Sequence, residues 1–298
     1  MKLFLKKFSR LFVFFIVLAM AMSYGSLYVL RQSSFYKSSF LVNEVPQDNF
    51  DYIILGASTG LTTLNTKVID SVLSTKGINL SMDDTALSSH YLMLQHYLAE
   101  GKRTDYCVLV SGLSGFDAKQ NAINDNDYRF LMYNNRSYVS DYYKQFSDKR
   151  AKILYYSKWI PMLGMSYYNT ELFYPSLVSI INSKKRNRFD DKGNFTYPIL
   201  NNDDQPITFF NDVEVKFSNP YLAQIKTLCD EHNIKLICYI SPNDSKHLIS
   251  DSLNYNIINH SNILKNKKYF YDNIHVNSLG REITSLKFAE TFRTQINN

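Results

Sequence analysis

The chain is 298 residues long, 45% apolar and 20% charged, which suits one sizeable core and is ordinary for a folded protein. Its net charge is +6, but Lys2, Lys6, Lys7 and Arg10 supply four of those charges. The remainder is near neutral, so no nucleic-acid surface is expected. Three cysteines without a CxxC or Cys/His spacing offer no metal site, and no cofactor fingerprint is present.

Residues 1–10 carry four positive charges and no acid, residues 11–30 carry no charge, and Arg31 closes the run. About twenty residues at 1.5 Å each match a hydrocarbon core of about 30 Å. Residues 1–31 therefore read as a basic cytoplasmic flank and a membrane anchor, with everything after Arg31 on the far side of the cytoplasmic membrane. The uninterrupted length favours this over a cleaved signal peptide, for which Ala19-Met20-Ala21 has the small-x-small form. Residues 32–49 are predicted as a polar lead-in ending near Pro46.

A domain is expected over residues 50–298. Tyr52-Ile-Ile-Leu55 is a short apolar run ending at Gly56, and Ser58 follows where the pattern turns helical. A second short strand is predicted at 78–82 and a long helix at 85–100, stopped by Gly101. A third strand at 106–110 runs into Ser111-Gly112. Residues 113–217, rich in Asn, Asp and Tyr, read as an insertion over the sheet, with helices near 141–159 and 167–181 and short strands after 189. Its basic cluster, Lys184, Lys185, Arg186 and Arg188, reads as a solvated loop. The pattern sharpens at Asn219, a good N-cap before Pro220, with a helix to about 233, a strand at 234–240 and a last helix at 278–294. Strands alternating with helices predict an α/β fold with a mostly parallel sheet. Cys107 and Cys238 fall in apolar strand-like runs and Cys229 on a helical pattern, and all three are expected as buried thiols. A Cys107–Cys238 disulfide is the alternative if their strands are neighbours. The surplus of Tyr (23) and Phe (20) over one Trp suits a sugar-binding or wet interface, or reflects biased composition.

Ser58 has the setting of a nucleophile. It follows a strand, at the rim of a parallel sheet where ligands bind and where the first helical amides favour negative charge. Its alternative is a helix cap. Asp272 and His275 share one loop before the last helix, where a carboxylate can orient an imidazole; their alternative is also capping. His90 and His96 are expected as packing or surface residues, and His232, His247 and His260 lack a paired spacing.

Gly56-Ala-Ser58 near the start of this region, and Asp272-x-x-His275-x-Asn277-x-x-Gly280 near its end, together resemble the SGNH (GDSL-like) hydrolase superfamily. The resemblance implies a three-layer α/β/α, flavodoxin-like domain behind one transmembrane helix. It makes Ser58 nucleophile, His275 general base and Asp272 its orienting partner. The backbone N–H groups of Ser58 and of Ser81, where the family has a glycine, become oxyanion donors. The family's asparagine after the third strand is missing from Ser111-Gly-Leu-Ser114-Gly, and Asn121 is the nearest downstream candidate. The implied activity is cleavage or transfer of acyl esters, acetyl above all, on cell-envelope carbohydrate. A non-catalytic envelope binding or assembly protein on the same fold is the alternative. Gly56-Ala-Ser58-Thr-Gly60 also fits an α/β-hydrolase elbow. That fold needs earlier strands and a distant acid, and neither is present. A phosphate-binding turn would need a P-loop lysine or GxGxxG, also absent.

Overall fold

A computed structural model describes residues 1–112, 115–200, 204–209, 212–250 and 252–296. Two compact units are present: Met1–Pro46, Asn121–Ile123 and Asp127–Asn187 form one, and Gln47–Gln120, Asn124–Asn126 and Arg188–Asn298 the other. The chain opens in the first unit with α1 (Lys2–Arg31) and α2 (Lys37–Asn43). It enters the second through β1 (Asn49–Gly56), α3 (Ser58–Thr63), α4 (Thr66–Leu73), β2 (Gly77–Asn79), α5 (Leu87–Ala99) and β3 (Arg103–Ser111). A 3-10 helix at Asp127–Tyr133 leads into α6 (Ser137–Lys144), α7 (Lys149–Tyr156), α8 (Met162–Tyr167) and α9 (Asn169–Ile181) of the first unit. The second resumes with β4 (Asp212–Glu214), α10 (Pro220–Glu231), β5 (Lys235–Ile240), β6 (His247–Ile249) and β7 (Asn256–Asn259), and ends in α11 (Ser278–Ile296).

The second unit is an α/β domain. Its sheet has the order β2-β1-β3-β5-β7 with every pair parallel, and β4 and β6 form a separate small parallel pair. The register runs Ile54, Val108, Ile237 across three strands. On one face Tyr52, Ile54, Tyr106, Val108 and Tyr239 pack with Ile69 of α4 and Phe288 and Phe292 of α11. The Phe292 ring lies edge-on to Tyr52 and Tyr106, at 5.6 and 5.0 Å. The alternate residues, Ile53, Leu55, Cys107, Leu109 and Cys238, are buried on the other face, where α5 and α10 pack. Strands covered on both faces have no polar side to show, so they read in sequence as unbroken apolar runs.

Several local signals are realised. Asn219 accepts the Tyr221 N–H at 2.8 Å ahead of Pro220, and Gly101 takes φ +76° after α5. Others are redrawn. The single helix expected at 141–159 is two, because the Asp148 carboxylate accepts the N–H groups of Arg150 and Ala151 and starts α7 afresh. The strand β7 was not foreseen; four residues, Asn-Ile-Ile-Asn, carry too little pattern. The polar lead-in at 32–49 contains α2, with Lys37, Ser38, Ser39, Phe40 and Leu41 buried. Its serines are accommodated by backbone, Ser38 Oγ donating to Arg129 O at 2.6 Å and Ser39 Oγ to Tyr36 O at 3.1 Å. The stretch expected as one insertion is divided: 127–187 join the first unit, and from Arg188 the chain belongs with the sheet. All three cysteines are buried and free; Cys107 stands opposite Leu236, and Cys238 opposite Leu109.

In the first unit α1 is long and apolar enough to cross a membrane, or to serve as a signal sequence. Its buried residues, Ser23, Ser26 and Leu30, all lie toward its C-terminal end.

Candidate active site

Ser58 stands where β1 turns into α3. A Cβ on Gly56 would come within 2.8 Å of Val110 O and 2.9 Å of Gly60 Cα, so only glycine lets this turn close against β3. The turn is held from below by Asn79, whose Nδ2 donates to Gly60 O at 3.0 Å, and by the Met82 N–H, which donates to Gly56 O at 2.9 Å. Ala57 occupies the cap position in extended backbone and Ser58 is the first helical residue. The hydroxyl is therefore not used in capping.

Asp272 and His275 lie in a loop closed by the Phe270–Val276 bridge and by the Tyr271 N–H donating to His275 O at 2.8 Å. Capping of α11 is done by Asn277. Its Oδ1 accepts the Leu279 and Gly280 N–H groups at 3.1 and 3.2 Å, and its Nδ2 donates to Lys268 O and Phe270 O. A Cβ on Gly280 would meet Tyr269 O at 2.2 Å, so this helix start also requires glycine. With Asn277 as cap, Asp272 and His275 are left to each other. His275 Nδ1 is 2.9 and 2.8 Å from the two Asp272 oxygens, and His275 Nε2 is 2.8 Å from Ser58 Oγ.

The roles of the atoms follow from what each can do. A carboxylate only accepts, so in the neutral imidazole Nδ1 carries the proton and the Nε2 lone pair faces the serine hydroxyl, which donates to it. Asp272 Oδ1 also accepts the Ile274 and His275 N–H groups at 3.0 and 2.8 Å. Partial burial pushes this carboxyl up, but the His275 side chain and the two amides outweigh it and hold it below the usual carboxylate range. The three groups can thus move a proton from Ser58 Oγ to His275 while Asp272 stabilises the imidazolium.

Residues with no motif around them build the surroundings. The Tyr197 ring stacks on Tyr271 at 4.2 Å and lies 5.3 Å from the His275 ring, so two aromatics wall one side of the site. Arg281, buried on α11, donates from Nη2 to Leu64 O at 2.7 Å and Asn194 Oδ1 at 3.1 Å, and from Nη1 to Thr196 Oγ1. It ties the end of α3 and the approach to Tyr197 to the helix that follows His275. Burial pushes its guanidinium down to about 10, so it stays cationic at neutral pH. His90 and His96 are both buried. Burial drives the His90 imidazole down to about 3, against the opposing effect of a bond to the Gly56 backbone, so it sits neutral behind the Ser58 turn.

The expected oxyanion donors fare unequally. The Ser58 N–H lies in the first turn of α3, where no intrahelical acceptor exists. The Ser81 N–H donates to Asn79 Oδ1 at 3.0 Å. Asn121 is exposed and belongs to the first unit, whereas Ser58, Asp272 and His275 belong to the second. In Ser111-Gly-Leu-Ser114-Gly, Leu113 and Ser114 lie outside the described residues. Among the described residues no three His, Cys, Asp or Glu side chains cluster as a metal site would need. No family model matches the chain, and no curated protein matches it.

Proposed function

We propose that this chain is a membrane-anchored serine esterase or O-acyltransferase of SGNH type, acting outside the cytoplasmic membrane on acyl esters of envelope carbohydrate. The observation that carries the reading is the line Ser58 Oγ, His275 Nε2, His275 Nδ1, Asp272, drawn from opposite ends of the domain with both links at 2.8 Å. Its strand order, with the switch point between β1 and β3, is that of flavodoxin-like doubly wound sheets, and Ser58 follows β1 at that point. Ser58 Oγ attacks the acyl carbonyl as its proton passes to His275 Nε2; the imidazolium returns that proton to the departing alkoxide, leaving an acyl-serine. Water or a second hydroxyl, deprotonated by His275, then takes the acyl group and frees Ser58. The Ser58 N–H supplies one oxyanion donor. The α1 helix supports a substrate at the envelope.

The second reading, a binding or assembly protein, is favoured by one observation. The Ser81 amide is occupied, and losing one oxyanion donor costs about 10²–10³ in rate. A fluorophosphonate that cannot cross membranes distinguishes these readings when added to intact spheroplasts carrying the full chain. Labelling that disappears in Ser58→Ala supports an activated serine outside the membrane. Labelling only after lysis would put the domain inside. No labelling in either state would favour the binding protein.

A further inference from the structure

α9 is built inside out for a helix in water. A water-facing helix hides its apolar stripe and shows polar residues. α9 buries Ser176 and Ser179 with Leu172 and Pro175, and shows Tyr174, Leu177, Ile180 and Ile181, of which Tyr174, Ile180 and Ile181 are 64%, 66% and 88% exposed. Residues 153–182 contain only two charges, Lys158 and Glu171. The exposed face continues through Tyr156, Trp159, Ile160, Leu163 and Tyr167. A patch of this extent marks a surface that something covers.

The first unit indicates what covers it. α1 packs against α8, α9 and the 3-10 helix, and its buried residues Ser23, Ser26 and Leu30 fall in the second half of the charge-free run. If that run fills the hydrocarbon core, its packing partners lie at the depth of the outer leaflet. Both ends of α9 are tied to the segment just beyond α1: Tyr36 Oη donates to Glu171 O, and the Ser34 N–H donates to Ser183 O at 2.8 Å. A 13-residue helix, about 20 Å long, is too short to cross about 30 Å of hydrocarbon. Two of the buried serines satisfy their own helices, Ser23 Oγ donating to Ala19 O and Ser176 Oγ to Phe173 O, both at 2.7 Å, while Ser179 Oγ has no partner among the described residues. Exposed Tyr24 and Tyr28 on α1, with Tyr156 and Trp159, provide the aromatic belt of a membrane interface. Beside them Arg31 and Lys158 line an open cleft of about 240 Å³, placed to meet headgroup phosphates.

From this juxtaposition we propose that α9 and the 156–167 segment lie in the outer leaflet, apolar face in lipid, as a second, non-spanning membrane attachment. It rests on the reading of α1 as a retained anchor. Trp159 is the only tryptophan in the chain, so its fluorescence reports this surface directly. The test uses the full chain in phosphatidylglycerol vesicles, with nitroxide lipids labelled near the headgroup or near the chain end, and iodide as aqueous quencher. The expected result is strong quenching by the headgroup-proximal nitroxide, weaker quenching by the deep one, and loss of iodide quenching. Leu177→Trp in a Trp159→Phe background moves the reporter onto α9 and should behave alike. Iodide quenching without nitroxide quenching would overturn the proposal by showing a face in water. Quenching by neither would overturn it in favour of a protein cover. Alkaline extraction separates the two levels: release of the chain refutes the anchor and the attachment together, whereas retention with an iodide-accessible Trp159 refutes the attachment alone.

Discussion

The sheet core of the second unit and the α9 face of the first use the same residue types in opposite ways. In the second, Tyr52, Tyr239, Phe288 and Phe292 are fully buried, and the polar residues gather at the rim of the sheet, where Ser58, Asp272 and His275 meet. In the first, serines lie buried on α1 and α9, while tyrosines and isoleucines of comparable size face outward. An apolar side chain goes to the least polar surroundings available, and a buried hydroxyl is tolerated where a backbone carbonyl is within reach. The contrast at α9 is the one that the proposed lipid contact accounts for. The chain also distributes its probes along this division. All six histidines and all three cysteines belong to the second unit, and the one tryptophan to the first.

The sharpest test of the rim is graded mutation, read on a chromogenic acetyl ester. Ser58→Ala and His275→Ala should each lower kcat by about 10⁶, and the double variant hardly more, because the two act as a unit. Asp272→Ala should cost less, about 10⁴, since it orients and stabilises without reacting. A Ser58→Ala protein with the wild-type rate would remove the nucleophile.

Next in size is the contrast of cores. Phe292→Ala, in the packed face of the sheet, should destabilise the second unit by about 3–5 kcal/mol. Ile181→Ala, on the exposed face of α9, should stay within about 0.5 kcal/mol in thermal unfolding of the detergent-solubilised chain. Equal losses would show that both faces are protein cores.

Counted per pH unit, the smallest effect is that of acid. Burial lowers His90 to about 3 and His260 to about 4, below the ordinary value of about 6.5 that the unfolded chain keeps. As pH falls below about 6.5 the unfolded state takes up protons that the native state refuses. Stability is therefore full above that value and drops by at most about 1.4 kcal/mol per pH unit and histidine, until the folded values are reached. Reaction of the buried thiols with dithiodipyridine should rise through this window while Trp159 emission stays constant, and His90→Gln with His260→Gln should flatten the rise. A parallel change in Trp159 would mean that the two units open together.

Much of this organisation was legible in the chain. Tyr52-Ile-Ile-Leu55, the run around Cys107 and that around Cys238 announce strands buried on both faces, and Asn219-Pro220 and Gly101 announce helix ends, because these are properties of neighbouring residues. The charge-free run after Arg10 is equally local, and Ser58, Asp272 and His275 could be singled out from the turns that hold them. Partners distant in sequence leave no such mark. Nothing in the order of residues tells that Asn79 reaches Gly60 O, that Arg281 ties Leu64 to Thr196, or that Tyr197 stacks on Tyr271 beside the imidazole. Nor does a periodic pattern tell which side of α9 is covered, since serine and isoleucine faces alternate identically whether water or lipid lies outside. Periodicity is a property of the segment; which face is hidden and which polar atom is satisfied depends on what the rest of the chain brings against it, and only the tertiary structure decides that.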